Sequence, residues 1–334
     1  MEMTCPKTMT FGPCGGVDFD GRCEVGEHRC VFLDTPVVRW NGKPAPERHT
    51  RSATGMLRLL RSMQIVVADF PARALDVPSI EECAAVLAGT VDAVLAGDSG
   101  AARVQFPPSY RAHLITQAGL PVWTGFNNRD RNRVALEGEL AALAEVGVVG
   151  VHCVTGDHTL TGQRQDAKPV FDLDSTQTAA LARSFGHLVS VGESPLTPPV
   201  GKRAARLREK ENAGAEVCFV NHCGGADAVS RFVQEARDLG STSHMIACVP
   251  LVVDREGATL LRSFPTLVLP EGFIDRILHA ADPRREGIMA AIELSEAMLA
   301  INGVSGVNLS GGAGPGAEIA CAEAMATVSA ALSR

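Results

Sequence analysis

Four cysteines lie close together at the start of the chain, in the spacing Cys-x8-Cys-x8-Cys-x6-Cys: Cys5, Cys14, Cys23 and Cys30. In a reducing compartment, clustered cysteines are more often metal ligands than disulfides. The spacing lacks the Cys-x2-Cys pair of common zinc fingers, but the glycines between the cysteines permit turns that could bring four thiolates to one ion. The pattern predicts a metal site, with four reduced thiols in a loop-rich segment as the alternative.

Other residues that could do acid, base or binding chemistry lie at the ends of short apolar runs or in the loops that follow them. Such runs are typical of buried strands, so a polar residue after one lies at the edge of a sheet. The candidates of this kind are Asp69, Asp98, Thr155, Asp157, Glu193, Asn221 and His222. For Asp157 the alternative is a helix cap with no catalytic role.

Eight apolar, β-branched runs supply the strands that would position these residues, and stretches with helical spacing separate them. The runs are residues 64–70, 92–97, 121–126, 148–154, 187–192, 216–222, 244–252 and 305–310. This alternation predicts an α/β fold, a (β/α)8 TIM barrel, whose active site lies at the C-terminal strand ends. An open doubly wound sheet competes, but no glycine fingerprint follows the first strand.

Composition and charge limit the class of ligand. The chain has 334 residues, of which 46% are hydrophobic, and a formal net charge of -7. Nucleic-acid-binding proteins usually present a basic face, so the charge favours a small-molecule ligand. No apolar run approaches the roughly 20 residues that span a bilayer, and the N-terminus lacks the apolar core of a signal peptide. We therefore expect a cytoplasmic protein that binds neither nucleic acid nor membrane.

Three parts are expected along the chain. Residues 1–36 form a cysteine-rich metal-binding module, and residues 37–55 form a linker rich in proline and polar residues. Residues 56–334 form the barrel, a length sufficient to bury a large core.

Motifs in the barrel part resemble those of the methylenetetrahydrofolate reductase family. The segments "GFNNRDRNR", "VTGDH" and "VFDLDSTQ" match the family's T-C-R-D-x-N, L-T-G-D-x-P and V-x-D-L-D-S patterns in order and spacing. The likeness extends over residues 62 to 330. The opening "CPK", "GPCGG" and "CEV" resemble a small cysteine-rich module found with some folate reductase subunits of one-carbon metabolism.

The resemblance implies an oxidoreductase that interconverts 5,10-methylenetetrahydrofolate and 5-methyltetrahydrofolate. Hydride would pass through FMN or come directly from a nicotinamide, NAD(P)H. The cysteines would hold zinc or a 4Fe–4S cluster; fuller versions of the module hold the cluster with further cysteines, which this chain lacks. The residues at the family's cofactor-binding positions are Thr155, Gly156, Asp157, Asp174, Gly192 and Glu193.

Two positions depart from the family pattern at the implied catalytic centre. The family has a glutamate at the end of the first strand, the general acid that opens the imidazolidine ring, where this chain has Asp69 or, in a different register, Ala68. We expect partly apolar surroundings to raise the pKa of Asp69. The family's sixth-strand glutamine faces the folate, where this chain has Asn221 and His222 as substrate-binding residues. We thus expect catalytic roles for Asp69, Asp157 and His222.

A second class of function stays open beside the enzyme. The cysteine segment also suits a non-catalytic folate-binding or electron-transfer subunit of a larger one-carbon complex. In either class we expect a folate ligand, and a partner subunit or a second copy of the chain as the protein partner.

Overall fold

The computed structural model describes residues 5–43, 45–98, 102–264, 266–311 and 314–332. Near the N-terminus, strands β1 (Arg22–Cys23) and β2 (Gly26–Arg29) form an antiparallel hairpin. Eight later strands pair in parallel and close in the order β10-β3-β4-β5-β6-β7-β8-β9. They are β3 (Ile65–Asp69), β4 (Ala93–Ala96), β5 (Val122–Asn127), β6 (Gly150–Val154), β7 (Val189–Glu193), β8 (Val217–Val220), β9 (His244–Leu251) and β10 (Val304–Gly311). The predicted TIM barrel is confirmed.

Helices surround the barrel and connect its strands. They are α1 (Arg51–Ser62), α2 (Val77–Leu87), α3 (Pro108–Gln117), α4 (Arg133–Val146), α5 (Ser175–Ser184), α6 (Arg203–Asn212), α7 (Ala226–Asp238), α8 (Arg255–Arg262), α9 (Phe273–His279), α10 (Pro283–Leu299) and α11 (Glu318–Ala331). Many begin at a side chain that accepts a hydrogen bond from the first turn, as Asp76 does from Ser79 and Asn132 does from Ala135. No helix in the described ranges combines the length and the apolarity needed to cross a membrane.

Helix α1 closes the N-terminal end of the barrel. Its buried residues, Ala53, Met56, Leu57 and Leu60, pack with the lower lumen side chains, including Trp123. A separate, larger apolar layer fills the space between the strands and the outer helices. Because the lower lumen is filled, a ligand can enter only at the C-terminal strand ends, which we call the mouth. Helix α1 begins inside the predicted linker, so residues 51–55 of that stretch are helical.

The N-terminal segment, which we define as residues 5–43, packs on the loops after β6 and β7. The guanidinium of Arg206 donates to the carbonyl oxygens of Phe11 and Pro13. The Lys202 ammonium donates to the carbonyls of Leu33 and Thr35, at 2.8 and 2.9 Å. These contacts place the cysteines beside the mouth.

Candidate active site

Asp69 and His222 are brought to the same part of the mouth and share a neighbour, Ser310. The amide of Asn308 donates to Asp69 Oδ1 at 2.9 Å, and the hydroxyl of Ser310 hydrogen-bonds to the same carboxyl group. On its other side, Ser310 Oγ lies 3.0 Å from His222 Nε2. Asp69 and Ser310 are both partly exposed, so a ligand at the mouth can reach them.

Burial sets the protonation of this group of side chains. It raises the pKa of Asp69 from 3.8 to about 6, although the hydrogen bonds from Asn308 and Ser310 oppose the shift. Burial also lowers the pKa of His222 to about 4, so its imidazole is neutral at pH 7. Ser310 has one hydroxyl proton to donate, so the protonation of Asp69 is linked to the hydrogen bonding of His222.

Three aromatic rings form the floor of the open part of the lumen. Phe219 meets Trp123 edge to face at 5.4 Å between ring centroids, and meets His152 at 4.9 Å. The Ser190 hydroxyl links the other two, because Trp123 Nε1 donates to it at 2.8 Å and His152 Nδ1 lies 2.9 Å from it. An aromatic, partly polar floor of this kind suits a heteroaromatic ligand.

The loop after β6 carries three residues predicted to bind the cofactor or the pterin. The Thr155 hydroxyl contacts Met9 Sδ at 3.3 Å and accepts from the Ser175 amide at 3.1 Å. Gly156 has a φ of +87°, and a Cβ there would lie 3.1 Å from Asn127 Cβ. Asp157 is 58% exposed and pairs with Arg103 at 3.1 Å.

Asp157 does not have the capping role that was its alternative. The short turn that follows, Thr159–Thr161, is capped by His158, whose Nδ1 accepts from the Leu160 amide. The Asp157 carboxylate therefore remains available at the surface of the mouth, beside Arg103.

Asp174, a predicted cofactor-binding residue, is fully buried and bonded to four backbone amides. Its Oδ1 caps α5 by accepting from Thr176 and Gln177, at 2.9 and 3.1 Å. Its Oδ2 accepts from Thr10 and Phe11 in the N-terminal segment, at 3.0 and 2.9 Å. The carboxylate thus joins the N-terminal segment to the barrel.

We expect Asp174→Asn to loosen the N-terminal segment. Asparagine is as good a helix cap as aspartate, but either orientation of its amide points a donor at two backbone N–H groups. The free energy of unfolding should fall by about 2–4 kcal/mol, and protease should cut residues 5–43 faster. Asp282→Asn is the matched control, because Asp282 also caps a helix, by accepting from Arg285 at 3.0 Å, and is exposed. Parent-like melting of the Asp174→Asn variant would contradict this role.

Glu193 faces away from the lumen. Ser190 and Gly192 occupy the inner face of β7, so alternation directs Glu193 toward α6. There it lies 2.6 Å from Lys210 Nζ and 3.9 Å from Arg203 Nη1, and the three side chains are almost completely buried. Gly192, in contrast, lies in the lumen beside His152.

Asn221, a predicted substrate-binding residue, follows β8 and is partly exposed. Its Nδ2 donates to Ser194 Oγ at 3.2 Å, and its Oδ1 accepts from the His222 amide at 2.9 Å. These bonds hold the backbone between Asn221 and His222 in place.

The side of the mouth after β4 and β5 is occupied by paired charges. Asp98 accepts from Asn127 Nδ2 and from Arg129 Nη2, and Arg129 also pairs with Asp130 at 2.6 Å. Burial raises the pKa of Asp98, and the charge of Arg129 opposes the shift. The charged groups on this side are therefore paired with one another, and together they form one wall of the site.

The four N-terminal cysteines are half-buried free thiols. Burial raises the pKa of Cys5, Cys23 and Cys30, and an electrostatic interaction with Cys14 adds to each increase. Within the described part of the chain, no three His, Cys, Asp or Glu side chains are arranged as ligands of one metal ion. The structure thus shows the four predicted ligands as free thiols of one segment, without a metal-binding arrangement of three of them.

Asn308, Ser310, His152 and Ser190 were missed by the sequence analysis. Each is a polar residue at an alternate position in a strand that is otherwise apolar, such as "SGVNLS". Because alternate residues share one face, polar residues inside a barrel strand indicate the lumen lining. That pattern could have identified them.

Comparisons with known proteins address the two parts of the chain separately. Residues 1–40 match the model of a family described as methylene-tetrahydrofolate reductase C terminal. No curated protein sequence matches the chain. A similar solved structure is an uncharacterised protein from Clostridium thermocellum that binds two copies of 5-methyl-5,6,7,8-tetrahydrofolic acid. It has a TM-score of 0.58 and 11% identity, over 81% of this chain and 97% of that one.

A second solved structure, 2,3-dimethylmalate lyase of the PEP mutase/isocitrate lyase superfamily, has a TM-score of 0.48 and 16% identity over 78% of each chain. Similarity at these identities concerns the barrel fold alone. The family resemblance predicted from the opening cysteine motif is thus confirmed over residues 1–40, and the barrel shares its fold with the C. thermocellum protein.

Proposed function

We propose that the mouth of the barrel binds a reduced folate and interconverts 5,10-methylenetetrahydrofolate and 5-methyltetrahydrofolate. The observation that carries the proposal is Asp69, a partly exposed lumen carboxyl group whose pKa is raised by burial to about 6. A carboxyl group with such a pKa can donate a proton near neutral pH.

Unpaired hydrogen-bond acceptors at the mouth support a folate ligand. Among the described residues, the buried amide oxygens of Asn308 and Asn127 have no hydrogen-bond partner. Buried polar atoms are nearly always bonded, so these two suit a ligand rich in N–H donors, such as a pterin ring. The folate bound by the similar barrel from C. thermocellum adds support.

Asp69 would act at the first step of the reduction. Its proton goes to N10 of the substrate, the bond from N10 to the bridging methylene carbon breaks, and an iminium forms at N5. A hydride then adds to the methylene carbon and gives 5-methyltetrahydrofolate. Ser310 and Asn308 hold the carboxyl group in place, and His222 holds Ser310.

The residues present do not fit a flavin held as the family resemblance implies. The carboxylate of Asp174 is used by four backbone amides, and Glu193 faces α6. The hydroxyl of Thr155 is covered by Met9 and Ser175. We therefore assign the hydride to a reduced nicotinamide, NADH or NADPH, which becomes NAD⁺ or NADP⁺.

We also propose that Cys5, Cys14, Cys23 and Cys30 together hold either one zinc ion or one iron–sulfur cluster. The donor set fits, because these metals take thiolates. Such a group would stabilise the N-terminal segment at the side of the mouth.

Cys14→Ser should release the metal and loosen the N-terminal segment, while the barrel stays folded around its own core. Metal content per chain after anaerobic purification is the measurement, with circular dichroism to follow the barrel. Cys83→Ser is the matched control, since Cys83 is buried in the barrel. Unchanged metal content in the Cys14→Ser variant would contradict the proposal.

The alternative, a folate-binding subunit without catalysis, is favoured by one observation: the similar barrel is described by binding alone. One experiment separates the two functions. Purified protein is mixed anaerobically with 5,10-methylenetetrahydrofolate and NADH or NADPH, and both nicotinamide oxidation and 5-methyltetrahydrofolate are measured. Turnover supports the enzyme, binding without turnover supports the subunit, and absence of binding contradicts both.

A further inference from the structure

His152 is a histidine in the lumen whose role the proposed reaction leaves open. It lies on β6, and its ring packs against Phe219 on the lumen floor. Its Nδ1 is 2.9 Å from Ser190 Oγ. Among the described residues, no protein group hydrogen-bonds to its Nε2.

The hydrogen bonds of Ser190 determine which nitrogen of His152 carries the proton. Ser190 Oγ already accepts from Trp123 Nε1 at 2.8 Å. Its own proton can go to His152 Nδ1 at 2.9 Å or to the Val151 carbonyl at 3.5 Å, and the shorter bond is the stronger. Nδ1 is then the acceptor, so the neutral ring carries its proton on Nε2. Burial lowers the pKa of His152 to about 3, which keeps the ring neutral.

The space beside Nε2 is open because residue 192 is glycine. A Cβ at Gly192 would lie 3.7 Å from His152 Nε2 and 3.8 Å from Cε1. These are van der Waals contact distances, so a side chain at this inner position of β7 would occupy the space beside the imidazole. Both His152 and Gly192 are partly exposed.

We propose that His152 Nε2 donates a hydrogen bond to a ring acceptor of the bound folate, a carbonyl oxygen or a ring nitrogen of its pterin. Ser190 is the positioning residue that holds the imidazole in the donor form. This role rests on the proposed function, since it names the part of the folate that reaches the lumen floor. A neutral donor also selects for an acceptor over the N–H edge of the ligand.

The test measures the dissociation constant of 5-methyltetrahydrofolate by calorimetry, with the melting temperature of each variant as a check on folding. His152→Phe keeps a planar ring and removes the donor, so affinity should fall about tenfold. His152→Gln supplies an N–H donor and should stay within about threefold of the parent. Ser190→Ala frees the ring and should cost about threefold.

His244→Phe is the matched control. His244 also pairs with a serine, with Nδ1 3.0 Å from Ser305 Oγ, but it begins β9 at the opposite end of the barrel. The His244→Phe variant should bind 5-methyltetrahydrofolate as tightly as the parent does. A folded His152→Phe variant that binds as tightly as the parent would overturn the role of His152 alone. A parent that binds no 5-methyltetrahydrofolate would instead overturn the proposed function, and this role with it.

Discussion

Asp69→Asn should lower the rate of 5,10-methylenetetrahydrofolate reduction by about 10²–10⁴-fold, the usual contribution of a positioned general acid. Folate should still bind, because an asparagine at this position can accept the hydrogen bond that Asn308 donates. Asp69→Glu should keep measurable activity, since it retains a carboxyl group. Steady-state turnover and 5-methyltetrahydrofolate binding are measured on each variant. A parent-like rate in Asp69→Asn would place the acid elsewhere, with His222 as the next candidate.

The same carboxyl group predicts how rate and stability change with pH. Ring opening needs the protonated acid, so the rate of reduction should fall as pH rises through about 6. The folded pKa lies above the unfolded value of 3.8, so the stability that protonation contributes is lost as pH rises through the folded pKa. At pH 8 Asp69→Asn should therefore be more stable than the parent, by up to about 3 kcal/mol. At pH 8 the Asp69→Asn substitution should thus lower activity and raise stability. This outcome separates a catalytic role of Asp69 from a structural one.

Lys210→Met should destabilise the fold by about 3–5 kcal/mol, because it leaves the Glu193 carboxylate buried without its closest cation. Lys210 Nζ lies 2.6 Å from Glu193 and donates to the Gly192 carbonyl at 2.7 Å. Adding Glu193→Gln to Lys210→Met should restore much of the loss. Urea denaturation followed by circular dichroism measures each free energy of unfolding.

Arg276→Met is the surface control for this pair. Arg276 lies 2.8 Å from Glu293, and both side chains are about half exposed, so its loss should cost less than about 1 kcal/mol. Equal, small losses of unfolding free energy in Lys210→Met and Arg276→Met would contradict the prediction, because they would show that another group neutralises the Glu193 charge.

The strands were the part of the fold that the sequence predicted best. The run predicted at 64–70 is β3 (Ile65–Asp69), and the run at 244–252 is β9 (His244–Leu251). Parallel strands buried on both faces read as continuous apolar runs, which makes them easy to find. The predicted linker, residues 37–55, overlaps the start of helix α1, although Ala53, Met56, Leu57 and Leu60 have helical spacing. The proline-rich residues before it obscured that signal.

The direction of each site side chain was harder to predict. Glu193 and Gly192 are neighbours in the sequence, yet one faces α6 and the other faces the lumen. The phase of a strand decides this, and a one-residue shift reverses it. The partners of Asp174 are Thr10 and Phe11, more than 160 residues away in the chain. No local pattern signals a contact over that separation.

Closure of the N-terminal end of the barrel by α1 has a kinetic consequence. With Trp123 and the α1 side chains filling the lower lumen, both reactants of the proposed reaction must use the same opening. The molecule that lies deeper has to enter first and leave last. Exchange of the outer molecule can then proceed while the inner one stays bound, so the depth at which each reactant sits determines the order of binding and release.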